Sequence, residues 1–286
     1  MVFAVILSGI GPVLVRDSPV DPASTAFWRL AIGVPIALFV IRRSVLLPWR
    51  AMAWAAVSGL CLAGDLCSWN TALVRTTILE GTILVMVYPL IAAVANYLIF
   101  KERITLRVAT GGLIAFGGLL LMMLGANNDG RSSLSGDLLA VMAAFFYTGS
   151  LLISARLCRI YDTQIVSFWL IFWAAVGALV PSMLEPRTIP DITQSWGDIA
   201  YGWGYIAAYA VITLVSYNLF NRGLKIVPTS LASLMGYGQP VVATFLGFII
   251  LGEAPTLDGV LGSIVIVIGL VLATRQPRQK VLAPAD

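Results

Sequence analysis

The sequence predicts an all-α polytopic membrane protein of ten transmembrane helices, built as two inverted five-helix repeats. Three observations carry that expectation. Apolar runs long enough to cross a bilayer recur along the whole chain, one pattern of polar residues is written twice, and positive charge alternates from loop to loop. Apolar residues fill 59% of the 286 positions and charged residues 11%, against roughly a quarter charged in a soluble domain, and mean hydropathy is +0.92. A run of about 20 such residues spans the hydrocarbon as a helix, so a lipid bilayer is the expected solvent for most of the chain.

The first span, 2–16, is short; either residues are missing ahead of it or the chain begins inside its first helix. It lacks the basic start and small-residue cleavage site of a signal peptide. The second, 22–42, opens with the segment FWRL and stops at Arg42-Arg43. The third, 51–73, follows Arg50, and the fourth, 78–100, carries Tyr88-Pro89 near its middle and ends at Lys101-Glu102-Arg103. The fifth is 105–125. The polar stretch NNDGRSSLSGD, 127–137, then reads as a linker between a first repeat, 1–126, and a second, 138–286, which ends in a short cytoplasmic tail. The remaining spans are 134–156, 163–184, 197–221, 227–251, with MGYGQP at its centre, and 256–274.

Loop charge orients these spans. With the amino terminus inside, the inner loops and tail collect Arg42, Arg43, Arg50, Lys101, Arg103, Arg107, Arg156, Arg159, Arg222, Lys225, Arg275, Arg278 and Lys280. The outer loops hold only Arg16, Arg75, Arg131 and Arg187, and Arg29 falls within a span. The positive-inside rule therefore puts both termini in the cytoplasm, in a bacterial inner membrane.

Slid against itself by 151 residues, the chain pairs Asn70 with Asn221, Leu73 with Leu224, Pro89 with Pro240, Glu102 with Glu253, Gly111 with Gly262 and Gly118 with Gly269. Thr105-Leu106 falls on Thr256-Leu257, and Phe27-Trp28 has a counterpart in Phe168-Trp169. Five spans per copy is an odd number, so the second copy enters the membrane upside down. That explains why FKERITL, 100–106, loses its Lys and Arg when it recurs as LGEAPTL, 251–257: one faces the cytoplasm and the other does not. Inverted repeats are the architecture of carriers, with the substrate site near the midplane where the halves meet.

Several function classes drop out. The net charge of +4 comes with no basic stripe, so nucleic acid is not an expected partner. There is no His in the chain, and Cys61, Cys67 and Cys158 lie in apolar runs without metal-ligand spacing; no metal or cofactor is expected. Neither HExxH nor GxSxG occurs, and the AGD at 63–65 lacks the rest of an intramembrane aspartyl-protease pattern, so an enzyme is not expected and no catalytic residue is assigned.

The doubled pattern NTAL, YP, KERITL, GG and NRGL, QP, GEAPTL, GS, together with FWRL, resembles the drug/metabolite transporter superfamily, specifically its ten-helix EamA-type members. The resemblance covers essentially the whole chain and is strongest to the members that export aromatic and small amino acids. It implies a secondary carrier, active or facilitative, that works by alternating access around a central cavity. The alternative is a multidrug exporter of the same fold acting on lipophilic cations. The four-helix multidrug members carry an essential Glu in their first helix, whereas VFAVILSGIGPVLV has no carboxylate. Members that move phosphorylated sugars hold phosphate with basic residues in late helices, and the ninth and tenth spans have none. A monomer suffices for such a fold, so no oligomer is required.

Polar groups inside a bilayer are costly and usually face the bundle interior or a cavity. Arg29 and Asp65 both lie about two turns in from the outer membrane face. Arg29 either snorkels to the headgroups or pairs with Asp65; we favour the pair, because an isolated charge there costs at least ~2.5 kcal/mol. The matching places in the second copy hold Leu170 and Ser216, so the charges belong to one half only. Glu80 is a possible coupling carboxylate or a plain first-turn acid at the outer end of its helix, while Glu102 and Glu253 read as loop structure. Trp28, Asn70, Tyr88, Tyr147, Trp169, Tyr217, Asn218, Tyr237 and Gln239 form the candidate substrate-binding set. Pro89 and Pro240 are the candidate hinges, since a proline frees a backbone carbonyl one turn earlier. Such a site suits a zwitterionic or weakly polar small molecule.

Overall fold

A computed structural model describes residues 1–41, 45–76, 78–101, 104–124, 133–190, 196–246, 248–249 and 256–274. Among them every regular element is helical: α1 (Val2–Gly9), α2 (Gly11–Arg16), α3 (Pro22–Ile41), α4 (Trp49–Arg75), α5 (Ile78–Val85), α6 (Tyr88–Phe100) and α7 (Leu106–Leu124). The chain continues with α8 (Leu134–Ile160), α9 (Thr163–Met183), α10 (Trp196–Ile226), α11 (Thr229–Leu234), α12 (Gly238–Leu246) and α13 (Leu257–Thr274). Among the described residues eight segments are long and apolar enough to cross a membrane, with α5 and α6 counted as one, and Val2–Arg16 is a shorter apolar helical stretch.

Three expected spans are broken rather than continuous. The first turns at Ile10, between α1 and α2. The fourth breaks at Met86 and Val87, where the amides fall back on Ile83 O (3.0 Å) and Leu84 O (3.2 Å) in tight turns. The ninth is α11, a 3-10 turn over Met235–Tyr237, and α12. Both later breaks sit immediately before Pro89 and Pro240, whose missing N–H leaves the preceding turn without its regular bond.

Helix ends follow local chemistry. The Ser133 hydroxyl accepts from Gly136 N at 3.2 Å and starts α8, and the Asp162 carboxylate accepts from Gln164 N at 2.9 Å and starts α9, as oxygen-bearing caps do. The expected linker 127–137 is therefore already helical from Leu134, while 127–132 lies outside the described residues. The helices at 134–156 and 197–221 run on to Ile160 and Ile226. Arg156, Arg159, Arg222 and Lys225 consequently sit within helices rather than in loops, Arg159 and Lys225 in the final turns, where cations suit the negative end of the helix dipole. Lys101 closes α6 in a left-handed conformation (φ 53°). Glu102, Glu253 and the basic residues Arg42, Arg43, Arg103, Arg131, Arg275, Arg278 and Lys280 lie outside the described residues.

Small residues let the helices approach closely, and many large apolar side chains face outward. Ala51, Ala55, Ser58, Gly59 and Ala63 are among the buried residues of α4, whereas Phe39, Trp54, Leu98 and Phe145 are exposed. That is the pattern of helices in lipid, where association comes from close backbone approach rather than from removing oil from water. The tightest case joins α7 to α13. A methyl added at Gly111 would lie 2.5 Å from Gly269 O, and one at Gly118 would lie 2.7 Å from Gly262 O. Serines supply cross-helix hydrogen bonds elsewhere: Ser58 Oγ lies 2.9 Å from Ser154 Oγ and 3.0 Å from Ser150 O.

Candidate functional site

A cavity of about 100 Å³ opens between α1, α3, α4, α8 and α10 at the level of the breaks before α6 and α12. By the measure in which one water needs about 10–15 Å³, it holds several water-sized groups. Helices α1 and α2 contribute Val5, Leu7, Ser8 and Gly11, α3 contributes Arg29, and α4 contributes Asp65, Leu66 and Trp69. The broken segment of α5 and α6 brings Val85, Met86 and Tyr88. From the other half come Tyr147 on α8, Gln239 on α12, and Tyr209, Ile212, Thr213, Ser216, Tyr217 and Phe220 on α10.

Arg29 is held from below. The α3 amino terminus is anchored by Asn70, whose side-chain amide donates to Pro22 O at 2.8 Å, and by Glu185, whose carboxylate accepts from Ala23 N and Ser24 N at 2.8 and 2.7 Å. Two turns on, the Arg29 guanidinium lies 4.6 Å from the centroid of the Tyr209 ring and its Nη1 donates to the Tyr209 hydroxyl. Arg29 is 4% exposed, yet its Nε and Nη2 have no partner among the described residues. Asp65, 6% exposed, lines the same cavity, and no hydrogen bond or ion pair joins it to Arg29. The two charges share one cavity with no hydrogen bond between them, and the Tyr209 phenol lies on the arginine.

The aromatic wall is fixed by its own contacts. Tyr88 and Tyr147 meet edge to face at 4.5 Å, and the Tyr88 hydroxyl donates to Ser233 O at 3.0 Å on α11. A Cβ on Gly236 would overlap that hydroxyl, so only glycine lets the 3-10 turn approach this closely. Ser216, which falls on Asp65 when the chain is slid by 151 residues, also lines the cavity; it donates to Ala4 O at 3.0 Å and lies 2.7 Å from Ser8 Oγ.

The sequence-derived residues divide as follows. Arg29, Asp65, Tyr88, Tyr147, Tyr217 and Gln239 line the cavity together. Tyr237 is fully buried behind Tyr88 with its hydroxyl unpartnered, and Asn218 lies on α10 off the cavity wall. Trp28 donates to Thr188 O at 2.6 Å, and Trp169 donates to Val45 O, also at 2.6 Å, so both indoles tie loops down away from the cavity. Asn70 is committed to Pro22 O. Glu80 is buried at the far end of α5 with Thr76 Oγ 2.8 Å from its Oε2; that hydroxyl also lies 3.0 Å from Asp137 Oδ1.

Tyr209, Thr213 and Phe220 were not among the expected site residues. The signal that identifies them is periodic: positions 209, 213, 216, 217 and 220 share one face of α10, and the two of these that had drawn notice, Ser216 and Tyr217, mark that face.

Comparison with known proteins places this geometry in a wider set. The family model described as "EamA-like transporter family" matches residues 1–124 and 134–275. The chain is 27% identical over 270 residues to the protein named uncharacterized transporter YwfM of Bacillus subtilis, covering 92% of this chain and 88% of that one. An uncharacterized transporter of Archaeoglobus fulgidus is 22% identical over 276 residues, covering 96% and 95%. A protein crystal structure superposes with a TM-score of 0.76 at 22% identity over 95% of this chain and 94% of the other, a likeness of fold.

Proposed function

The chain belongs to the EamA-like transporter family, and from that premise we propose that it is a secondary active or facilitative carrier exporting amino acids, aromatic and other small neutral ones, by alternating access. As a member of a transporter family it takes a small-molecule substrate and works in a lipid bilayer, not as an enzyme. The observation that carries the finer reading is the composition of the cavity. Both halves of the chain build it, Tyr88 and its counterpart Gln239 face it from the two proline breaks, and Arg29 and Asp65 bring opposite charges to an otherwise aromatic wall. A site of that kind suits a compact zwitterion.

The inverted repeat, with halves 1–126 and 138–286 about the linker 127–137, gives alternating access its moving parts. Its support is reciprocal contact. Gly111 abuts Gly269, the counterpart of Gly118, while Gly118 abuts Gly262, the counterpart of Gly111, as a two-fold relation requires. The indoles of Trp28 and Trp169 repeat that reciprocity, each donating to a loop carbonyl beyond the other's helix. The family match to two successive stretches supports it too. On this reading ten spans cross a bacterial inner membrane with both termini cytoplasmic, α1 with α2 and α11 with α12 being the two short broken ones, and Pro89 and Pro240 are the hinges. Glu80 is kept as a coupling carboxylate at the outer end of α5.

Reconstituted protein is expected to carry radiolabelled L-alanine or L-phenylalanine into proteoliposomes above the protein-free background, with or without an imposed proton gradient. No transport of any amino acid under either condition overturns the reading. A lipophilic-cation exporter is the second reading, favoured by the aromatic faces of Trp69, Tyr88, Tyr147 and Phe220, which attract cations. The buried Arg29 guanidinium in the same wall opposes it.

A further inference from the structure

We propose that the cavity recognises the α-amino acid backbone by its two charges at once: the side-on edge of Arg29, Nε and Nη2, takes the carboxylate, and Asp65 takes the primary ammonium. This rests on the carrier reading above and assigns its recognition chemistry.

The argument begins with what the arginine lacks. A guanidinium stays protonated at any physiological pH, and a buried cation is retained only when its charge and donors are matched. Here one donor is matched. Nη1 is committed to the Tyr209 hydroxyl, and the guanidinium carbon lies 4.6 Å from the centroid of the same ring. The donors left over, Nε and Nη2, are adjacent on one edge and point in parallel, the geometry that binds a carboxylate through two hydrogen bonds. Tyr209 is thus a positioning residue: it occupies one nitrogen and leaves the other two for a ligand.

Asp65 completes the complement. It is buried, lies on the same cavity wall, and has no hydrogen-bonding partner among the described residues. Two opposite charges that face one cavity with no hydrogen bond between them can be bridged by a molecule that carries both. A quaternary ammonium has no N–H to offer Asp65, an amine has nothing for the arginine edge, and a carboxylic acid brings a second anion to the aspartate. A zwitterion with a primary ammonium and a carboxylate satisfies both groups, leaving its side chain against Trp69, Tyr88, Tyr147 and Phe220.

The test compares L-alanine with ethylamine and propionate, which each lack one of its charges, on the purified full chain. Binding is read from ligand-induced thermal stabilisation, and transport of labelled alanine from proteoliposomes. Each analogue is expected to need about ten- to a hundredfold higher concentration than alanine, as loss of a hydrogen bond to a charged group implies. In Arg29→Gln the preference for alanine over ethylamine collapses while that over propionate remains; in Asp65→Asn the reverse holds. If Arg29→Gln does not fold, Arg29→Lys keeps the charge without the two-pronged edge and is expected to weaken alanine binding roughly tenfold; unchanged binding overturns the assignment. Alanine carried by the wild type while both analogues bind as well as it does overturns the two-charge recognition and leaves the carrier standing. Failure of the wild type to bind or carry any amino acid overturns both.

Discussion

The guanidinium of Arg29 rests on the ring of Tyr209, 4.6 Å from its centroid, and donates to the hydroxyl of the same side chain, although the carboxylate of Asp65 faces the same cavity. A charge taken from α3 is therefore held by a neutral residue of α10, from the other half of the chain, and not by the acid nearest to it in kind. Both the ring and the hydroxyl contribute to that hold, and they can be separated.

Tyr209→Phe keeps the ring and removes the acceptor. It is expected to lower stability by about 1.5–3 kcal/mol, the range for a lost hydrogen bond to a charged group. Tyr209→Leu removes the ring as well and costs roughly 1–2 kcal/mol more. Thermal unfolding of the purified protein should rank wild type above Phe above Leu; equal midpoints for wild type and Phe would show that the hydroxyl contributes nothing.

Gly118→Ala places a methyl 2.7 Å from Gly262 O and 2.8 Å from Ile266 N, both backbone atoms that cannot swing aside. Helices α7 and α13 must separate, at a cost of about 1–3 kcal/mol. Gly117→Ala on the same helix meets nothing within 4 Å and is expected to be neutral or to gain up to roughly 0.5–1 kcal/mol from helix propensity. Unfolding midpoints of this adjacent pair check the interface with its own control.

Glu185 fastens the end of α9 to the start of α3 by accepting from Ala23 N, Ser24 N and Ser24 Oγ at 2.7–2.8 Å. Glu185→Ala leaves those amides to water and is expected to cost about 1–3 kcal/mol. Glu185→Gln keeps one carbonyl acceptor and should fall between. The readout is again the unfolding midpoint, and an Ala variant as stable as wild type would mean that the clasp is idle.

The proposed topology sends the loop after α9 outward and the loop after α3 inward. With Cys61, Cys67 and Cys158 replaced, a cysteine at the half-exposed Ile189 should react with a membrane-impermeant maleimide in intact cells. A cysteine at the exposed Leu46 should react only after permeabilisation. Labelling of both positions from the same side would remove the inverted arrangement.

Much of the fold was legible because it rests on quantities a sequence carries directly. Span length follows from rise per residue and bilayer thickness, and the breaks before Pro89 and Pro240 follow from a missing N–H. The glycines at 111, 118, 262 and 269 stood out because a shared polar or small residue is informative where nearly everything else is apolar. The site was legible only in part. Arg29, Asp65, Tyr88, Tyr147, Tyr217 and Gln239 reach the cavity, but Trp28 and Trp169, equally prominent in the sequence, are spent on Thr188 O and Val45 O.

By itself the sequence determined that this chain lives in lipid, where its helices run, where two of them break, and that two opposite charges lie inside neighbouring spans. Only the tertiary structure decided that those charges share one cavity, that Tyr209 holds the arginine, and which aromatic residues face the cavity. The physical reason is that in a bilayer the outer and inner faces of a helix are both apolar, so burial leaves little amphipathic pattern to read. Which side a tyrosine or tryptophan takes is then settled by the helix packed against it.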